Sequence, residues 1–229
     1  MKTIGIIGGM SWHSSLEYYR IINETIQNQL GGWHSAKILM QSVDFDEIDL
    51  EHSTVAWEKS DKILTDAAKN LERGGADFII LAANTVHILA DEIQNSIQIP
   101  LLHIVEATAD KIISAGYTTV GLMGTKLTMR EKFYKDRMRE KHGINILLPD
   151  ESEQDILQQE INNACQGIHS PGAREKYLSI INNLANKGSE AVILGCTEIP
   201  LLVQQADVNI PLFDTMRIHA ETAAEYALK

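Results

Sequence analysis

The chain has 229 residues, 44% of them hydrophobic, and a net charge of −11 at pH 7, enough apolar material for one large or two small domains and too much for disorder. The acidic balance, with no stretch rich in Lys or Arg, argues against a nucleic-acid partner, and no apolar run approaches the ~18 residues of a membrane span. The start reads as a strand rather than a signal peptide, and the two cysteines, Cys165 and Cys196, both in the second half, suggest no disulfide framework, so a reducing cytoplasm fits.

In chain order, short β-branched runs alternate with longer amphipathic segments, the pattern of α/β folds with mostly parallel sheets and flanking helices. Strands are expected at Thr3 to Ile7, Lys37 to Ser42, Asp77 to Ala82, Thr119 to Met123, Ile144 to Leu148 and Ala191 to Leu194. Between the second and third, Ile63, Leu64, Ala67, Ala68 and Leu71 recur at helical spacing within Ser60 to Arg73, and Gly74 and Gly75 end that helix. A helix is expected from near His13 or Ser14, and the Pro and Gly of "GIHSPGAR" (Gly167 to Arg174) mark a loop.

The chain also repeats itself once. "DFIILAANT" (Asp77 to Thr85) followed by "IPLLH" (Ile99 to His103) matches "EAVILGCTE" (Glu190 to Glu198) followed by "IPLFD" (Ile210 to Asp214), and "TIGIIGG" (Thr3 to Gly9) matches "TVGLMGT" (Thr119 to Thr125). Two pseudo-symmetric α/β domains are therefore expected, 1–100 with 212–229 and 101–211, with an active site in the cleft between them. The alignment sets Ala83 opposite Cys196.

Cys196 ends an apolar strand, the position at which α/β folds bind ligands. Thr197 is suited to capping and Pro200 to a first helical turn, whose dipole would favour a thiolate. Buried packing is the competing role of a lone cysteine, and the repeat weighs toward function. Cys165, without a counterpart in the repeat, reads as packing. Gly8, Gly9, Met10 and Ser11 form a strand-to-helix turn able to hold a carboxylate or phosphate, but neither it nor "GTKLT" has the glycine spacing of a nucleotide loop. Asn84 and Thr85 correspond to Thr197 and Glu198, and all four suit either substrate contact or capping. His87 reads as a satisfied, partly buried histidine. His34, His52, His103 and His219 are scattered without metal-ligand spacing.

Together, "GIIGGMSWHSSLEYYRIIN", "NTVH", "GTKLTM", "ILGCTEIPLL", "PLFDT" and "IHAE" make the chain resemble, end to end, the aspartate/glutamate racemases that work without pyridoxal phosphate. The resemblance implies no cofactor, an amino-acid substrate, a homodimer, and two acid/base residues, commonly cysteines, on opposite faces of the α-carbon. One thiolate removes the α-proton and the opposite thiol returns one. Carried over by position, the second base is Cys196. The first position is Ala83, which cannot carry a proton, so the chain departs from the family pattern there and reduced activity is expected, whether from an engineered or a natural change. Met10, Ser11, Asn84, Thr85, Thr197 and Glu198 are carried over as substrate contacts, Arg174 as a carboxylate clamp, and His52 as a residue of a loop bordering the ligand. Two other readings stay open: a one-thiol decarboxylase or proton-exchange enzyme of the same superfamily, and a non-catalytic amino-acid or dicarboxylate binder.

Overall fold

The computed structural model describes residues 1–49, 53–168 and 170–229. In chain order the elements are β1 (Ile4–Gly8), α1 (Trp12–Leu30), β2 (Ile38–Ser42), α2 (Thr54–Arg73), β3 (Phe78–Leu81), α3 (Ala90–Asn95), α4 (Ile104–Ser114), β4 (Thr119–Gly124), α5 (Lys126–Arg130), α6 (Lys132–His142), β5 (Asn145–Leu147), α7 (Glu151–Cys165), α8 (Ala173–Asn186), β6 (Ala191–Gly195), β7 (Leu212–Asp214) and α9 (Thr215–Leu228). The chain forms two compact units, Met1–Ile104 with His219–Lys229, and Val105–Ile218.

In the first unit the parallel sheet runs β2-β1-β3, and in the second it runs β5-β4-β6-β7. The repeat survives at the level of single hydrogen bonds. Asp77 N donates to Thr3 O at 2.8 Å and Glu190 N to Thr119 O at 2.9 Å. The carboxylates reciprocate: Thr3 N donates to Asp77 at 2.6 Å and Thr119 N to Glu190 at 2.8 Å. Ile79 N donates to Pro100 O and Val192 N to Pro211 O, each at 2.9 Å. The two "IPL" segments differ in extent, since the second forms β7 against β6 whereas the first is reduced to a bridge between Ile79 and Leu101.

The expected strands are all present, with ends shifted by at most one residue. The helix expected at Ser60 begins six residues earlier, at Thr54, because Ser53 Oγ accepts from Ala56 N and caps it there. The sequence-based division put 212–229 with the first domain. In the structure Leu212–Asp214 pair with Val192–Leu194 and lie in the second unit, and the chain re-enters the first only at His219.

The first unit's core holds a histidine cluster. His219 Nε2–H donates to Leu102 O and its Nδ1 accepts from the Tyr18 hydroxyl, each at 2.9 Å. His87 and His103 lie nearby, their ring centroids 4.7 Å apart and their planes tilted by 58°. Burial holds the His219 imidazole down, from 6.5 to about 4. Because the folded state resists this protonation, His219 supports the fold fully above pH 6.5, and that support fades as pH falls toward 4. Across that window unfolding free energy should drop by about 3 kcal/mol, and chemical denaturation should show a shallower drop in His219→Gln.

Candidate active site

The strand-to-helix turn after β1 is shaped by Gly9, whose φ is 100°. A methyl there would fall 2.1 Å from Val43 O, so glycine is required by both conformation and space. Gly9 N donates to Ser15 Oγ at 2.8 Å, and Ser15 Oγ in turn donates to Ser11 O at 3.2 Å. Met10 and Ser11 are buried beside this turn, with Ser11 as the N-cap of α1, which starts at Trp12. The turn is thus braced from within by serine hydroxyls.

At the end of β3, Ala83 and Asn84 are buried, and a 3₁₀ turn, Thr85–Leu89, follows. His87 folds back under the strand end. Its Nδ1–H donates to Ala83 O at 2.8 Å and its Nε2 accepts from Ile104 N at 3.2 Å. Both ring nitrogens are engaged, which fixes the neutral Nδ1–H tautomer and makes His87 a brace for the Ala83 backbone.

In the second unit, β6 carries Cys196 at its carboxyl end. Gly124 and Gly195 face each other in register beneath it, and a methyl on either would fall 2.9 Å from backbone oxygen of the neighbouring strand. The close packing delivers the thiol to a buried position, 7% exposed. Cys196 Sγ–H donates to Glu198 Oε2 at 2.9 Å, and Thr197 Oγ1 donates to the same oxygen at 2.8 Å. Cys196, Thr197 and Glu198 are therefore one hydrogen-bonded group.

Two expectations change here. Only a three-residue 3₁₀ turn, Ile199–Leu201, follows Glu198, so there is no α-helix whose dipole could lower the thiol. The Cys196 thiol is instead pushed well up, first by burial and then by the Glu198 carboxylate, with Cys165 adding to the effect. Cys165, read from sequence as packing, ends α7 partly buried, and its thiol is pushed up first by burial and then by the Glu198 carboxylate. It lies within electrostatic reach of the Cys196–Glu198 pair. Helical periodicity hid it, because the convergence requires the ends of α7 and β6 to meet.

Arg174 lies in the first turn of α8, where its guanidinium pairs with Asp207 at 2.6 Å. "GTKLT" proves to be a capped turn, with Thr128 N donating to Thr125 Oγ1 at 3.2 Å. His52 lies outside the described residues. Among the described residues, no group of three or more His, Cys, Asp or Glu could hold a metal ion, and no helix is long and apolar enough to cross a membrane.

The family model for Asp/Glu/Hydantoin racemase matches residues 7–223. A candidate Asp/Glu racemase from Yersinia pestis is 44% identical over the full length of both chains, with a TM-score of 0.92. An aspartate racemase homologue from Pyrococcus horikoshii is 34% identical, again over both full chains, with a TM-score of 0.85. The broad specificity amino-acid racemase RacX of Bacillus subtilis is 27% identical over 67% of this chain, and the match spans 66% of RacX. With the family model covering nearly the whole chain, the protein belongs to the Asp/Glu/Hydantoin racemase family.

Proposed function

We propose that this protein exchanges the α-proton of an acidic amino acid, aspartate or glutamate, as a racemase working without pyridoxal phosphate, with Cys196 as its one side-chain base. The observation that carries the reading is the 2.9 Å contact between Cys196 Sγ and Glu198 Oε2. A buried thiol with a raised proton affinity is a poor acid toward water. As a thiolate it is a correspondingly strong base, and the adjacent carboxylate is the group able to receive its proton. The S–H bond breaks as an O–H bond forms on Glu198, and the thiolate then takes the substrate's α-proton. The resulting carbanion is reprotonated by Cys196 with retention, the thiolate then taking back the proton held on Glu198, or by water with inversion, the hydroxide left behind taking that proton instead.

Ala83 separates this chain from a two-base racemase. Its methyl group offers no proton, so inversion should be slow relative to exchange on the face served by Cys196. Met10, Ser11, Asn84, Thr85 and Thr197 enter the proposal as substrate contacts. Arg174 enters as the cation for a substrate carboxylate, and Asp207, which now occupies it, would be displaced on binding. The named relatives support an amino-acid substrate, and RacX supports testing a panel wider than aspartate and glutamate.

The test is proton NMR in deuterated water with L-aspartate, L-glutamate and neutral amino acids, without added cofactor, followed by chiral chromatography. Deuterium uptake at Cα is the expected result, and none with any amino acid would contradict the reading. Glu198→Gln should lower exchange at pH 7 by about 10²-fold. Its rate should then climb about tenfold per pH unit, because the thiol must lose its proton to hydroxide. An unchanged rate with a flat pH profile would remove Glu198 from the mechanism.

A further inference from the structure

One polar side chain near Cys196 is left without a role by these proton transfers. Tyr177 lies on α8 in line with Ala173, Ile180, Ile181 and Leu184, all buried. Its side chain is fully buried, and its hydroxyl has no hydrogen-bond partner among the described residues. A buried hydroxyl left unpaired opposes folding, and such exceptions call for a reason.

The register of the second unit places this hydroxyl. A Cβ on Gly121 would meet Leu184 Cδ1 at 2.9 Å, so Leu184 packs on the middle of β4. From Leu184 back to Tyr177 is two helical turns, ~10 Å. From Gly121 forward to Gly124 is a similar ~10 Å along the strand, and Gly124 is the partner of Gly195, the residue before Cys196. Helix side chains lean toward the N-terminus, which carries the phenol further toward the strand end.

α7 arrives at the same place. It runs antiparallel to α8, with Lys176 paired to Glu160 at 2.5 Å and Asn183 donating to Glu153 at 2.6 Å, so its last residue, Cys165, lies by the start of α8. Consistent with this convergence, the Tyr177 phenol is pushed up, by burial first and then by Cys196, Glu160, Glu198 and Cys165. It therefore keeps its proton and is a donor.

From this placement we infer that the Tyr177 hydroxyl donates a hydrogen bond to the Cys196 sulfur once that thiol has passed its proton to Glu198. A protonated thiol is a weak acceptor, whereas a thiolate accepts strongly. In the resting state the hydroxyl waits unpaired. In the working state it stabilises the sulfur anion, with the Tyr177 side chain shifting to bring its intact O–H within reach of the sulfur. The inference rests on Cys196 being the acid/base residue of the proposed function.

The test is Tyr177→Phe, read by the rate at which iodoacetamide alkylates Cys196 between pH 7 and 10. Peptide mass spectrometry separates Cys196 from Cys165. The titratable and charged groups around the sulfur are Glu198, Cys165 on α7, the Glu160–Lys176 pair between α7 and α8, and Asp214 on β7, which pairs with Leu194. All remain in the variant.

Alkylation should slow about tenfold across this pH range. The melting temperature should stay level or rise, because an unpaired hydroxyl has left the core. Alkylation equal to that of the unaltered protein would overturn the inference. Slower alkylation with a lowered melting temperature would also overturn it, since lost packing would account for both. Alkylation needs no substrate, so unchanged alkylation in a protein that does exchange α-protons would overturn the Tyr177 inference and leave the proposed function standing, whereas absence of exchange contradicts the proposed function whatever the alkylation rate.

Discussion

Replacing Ala83 with cysteine should raise the rate of D-isomer formation by about 10²-fold or more, the usual contribution of a positioned proton donor. Ala83 is the residue that the repeat pairs with Cys196, and the hydrogen bonds at Thr3, Asp77 and Pro100 recur at Thr119, Glu190 and Pro211. The backbone that presents position 83 is therefore built as the one that presents the thiol. His87 braces it through the Ala83 carbonyl, a contact independent of the side chain at 83. Exchange without inversion should rise far less, because Cys196 already supplies it. Ala83→Val serves as the control, adding bulk without a proton, and chiral chromatography of L-aspartate reactions reads both variants. A gain in Ala83→Cys matched by Ala83→Val would contradict the account.

Cys196→Ala should abolish α-proton exchange, a loss of at least about 10³-fold. Cys196→Ser should recover little, since an alcohol ionises far less readily than a thiol beside the same carboxylate. The alanine variant leaves Glu198 with one donor fewer, at a cost of about 1–3 kcal/mol. Thermal melts should accompany the NMR assay to establish that the folded population is intact. Residual exchange within a few-fold of the parent would show that another group removes the proton.

Much of this architecture is legible in the sequence. Parallel strands buried on both faces leave continuous apolar runs, as in Phe78–Leu81 and Ala191–Gly195, and the matched "IPL" segments mark where each sheet takes its last pairing. Cys196 and Glu198 are also readable as candidates, because they follow directly on a strand end. Their relation is only half readable: a helix start would lower the thiol and a carboxylate two residues on would raise it, and the chain makes only a 3₁₀ turn and aims Glu198 at the sulfur. Cys165 and Tyr177 escape for another reason. Each sits among aliphatic residues at helical spacing, and their polar ends acquire meaning only where α7, α8 and β6 come together. A polar-tipped side chain in an otherwise aliphatic stripe is the signal that could have singled them out.

The most direct measurement is the ratio of α-deuterium incorporation to D-isomer formation for L-aspartate and L-glutamate in deuterated water, with the unaltered protein and Cys196→Ala side by side. The account predicts incorporation that outpaces inversion and disappears in Cys196→Ala. Absence of incorporation, or incorporation that persists without Cys196, would contradict it.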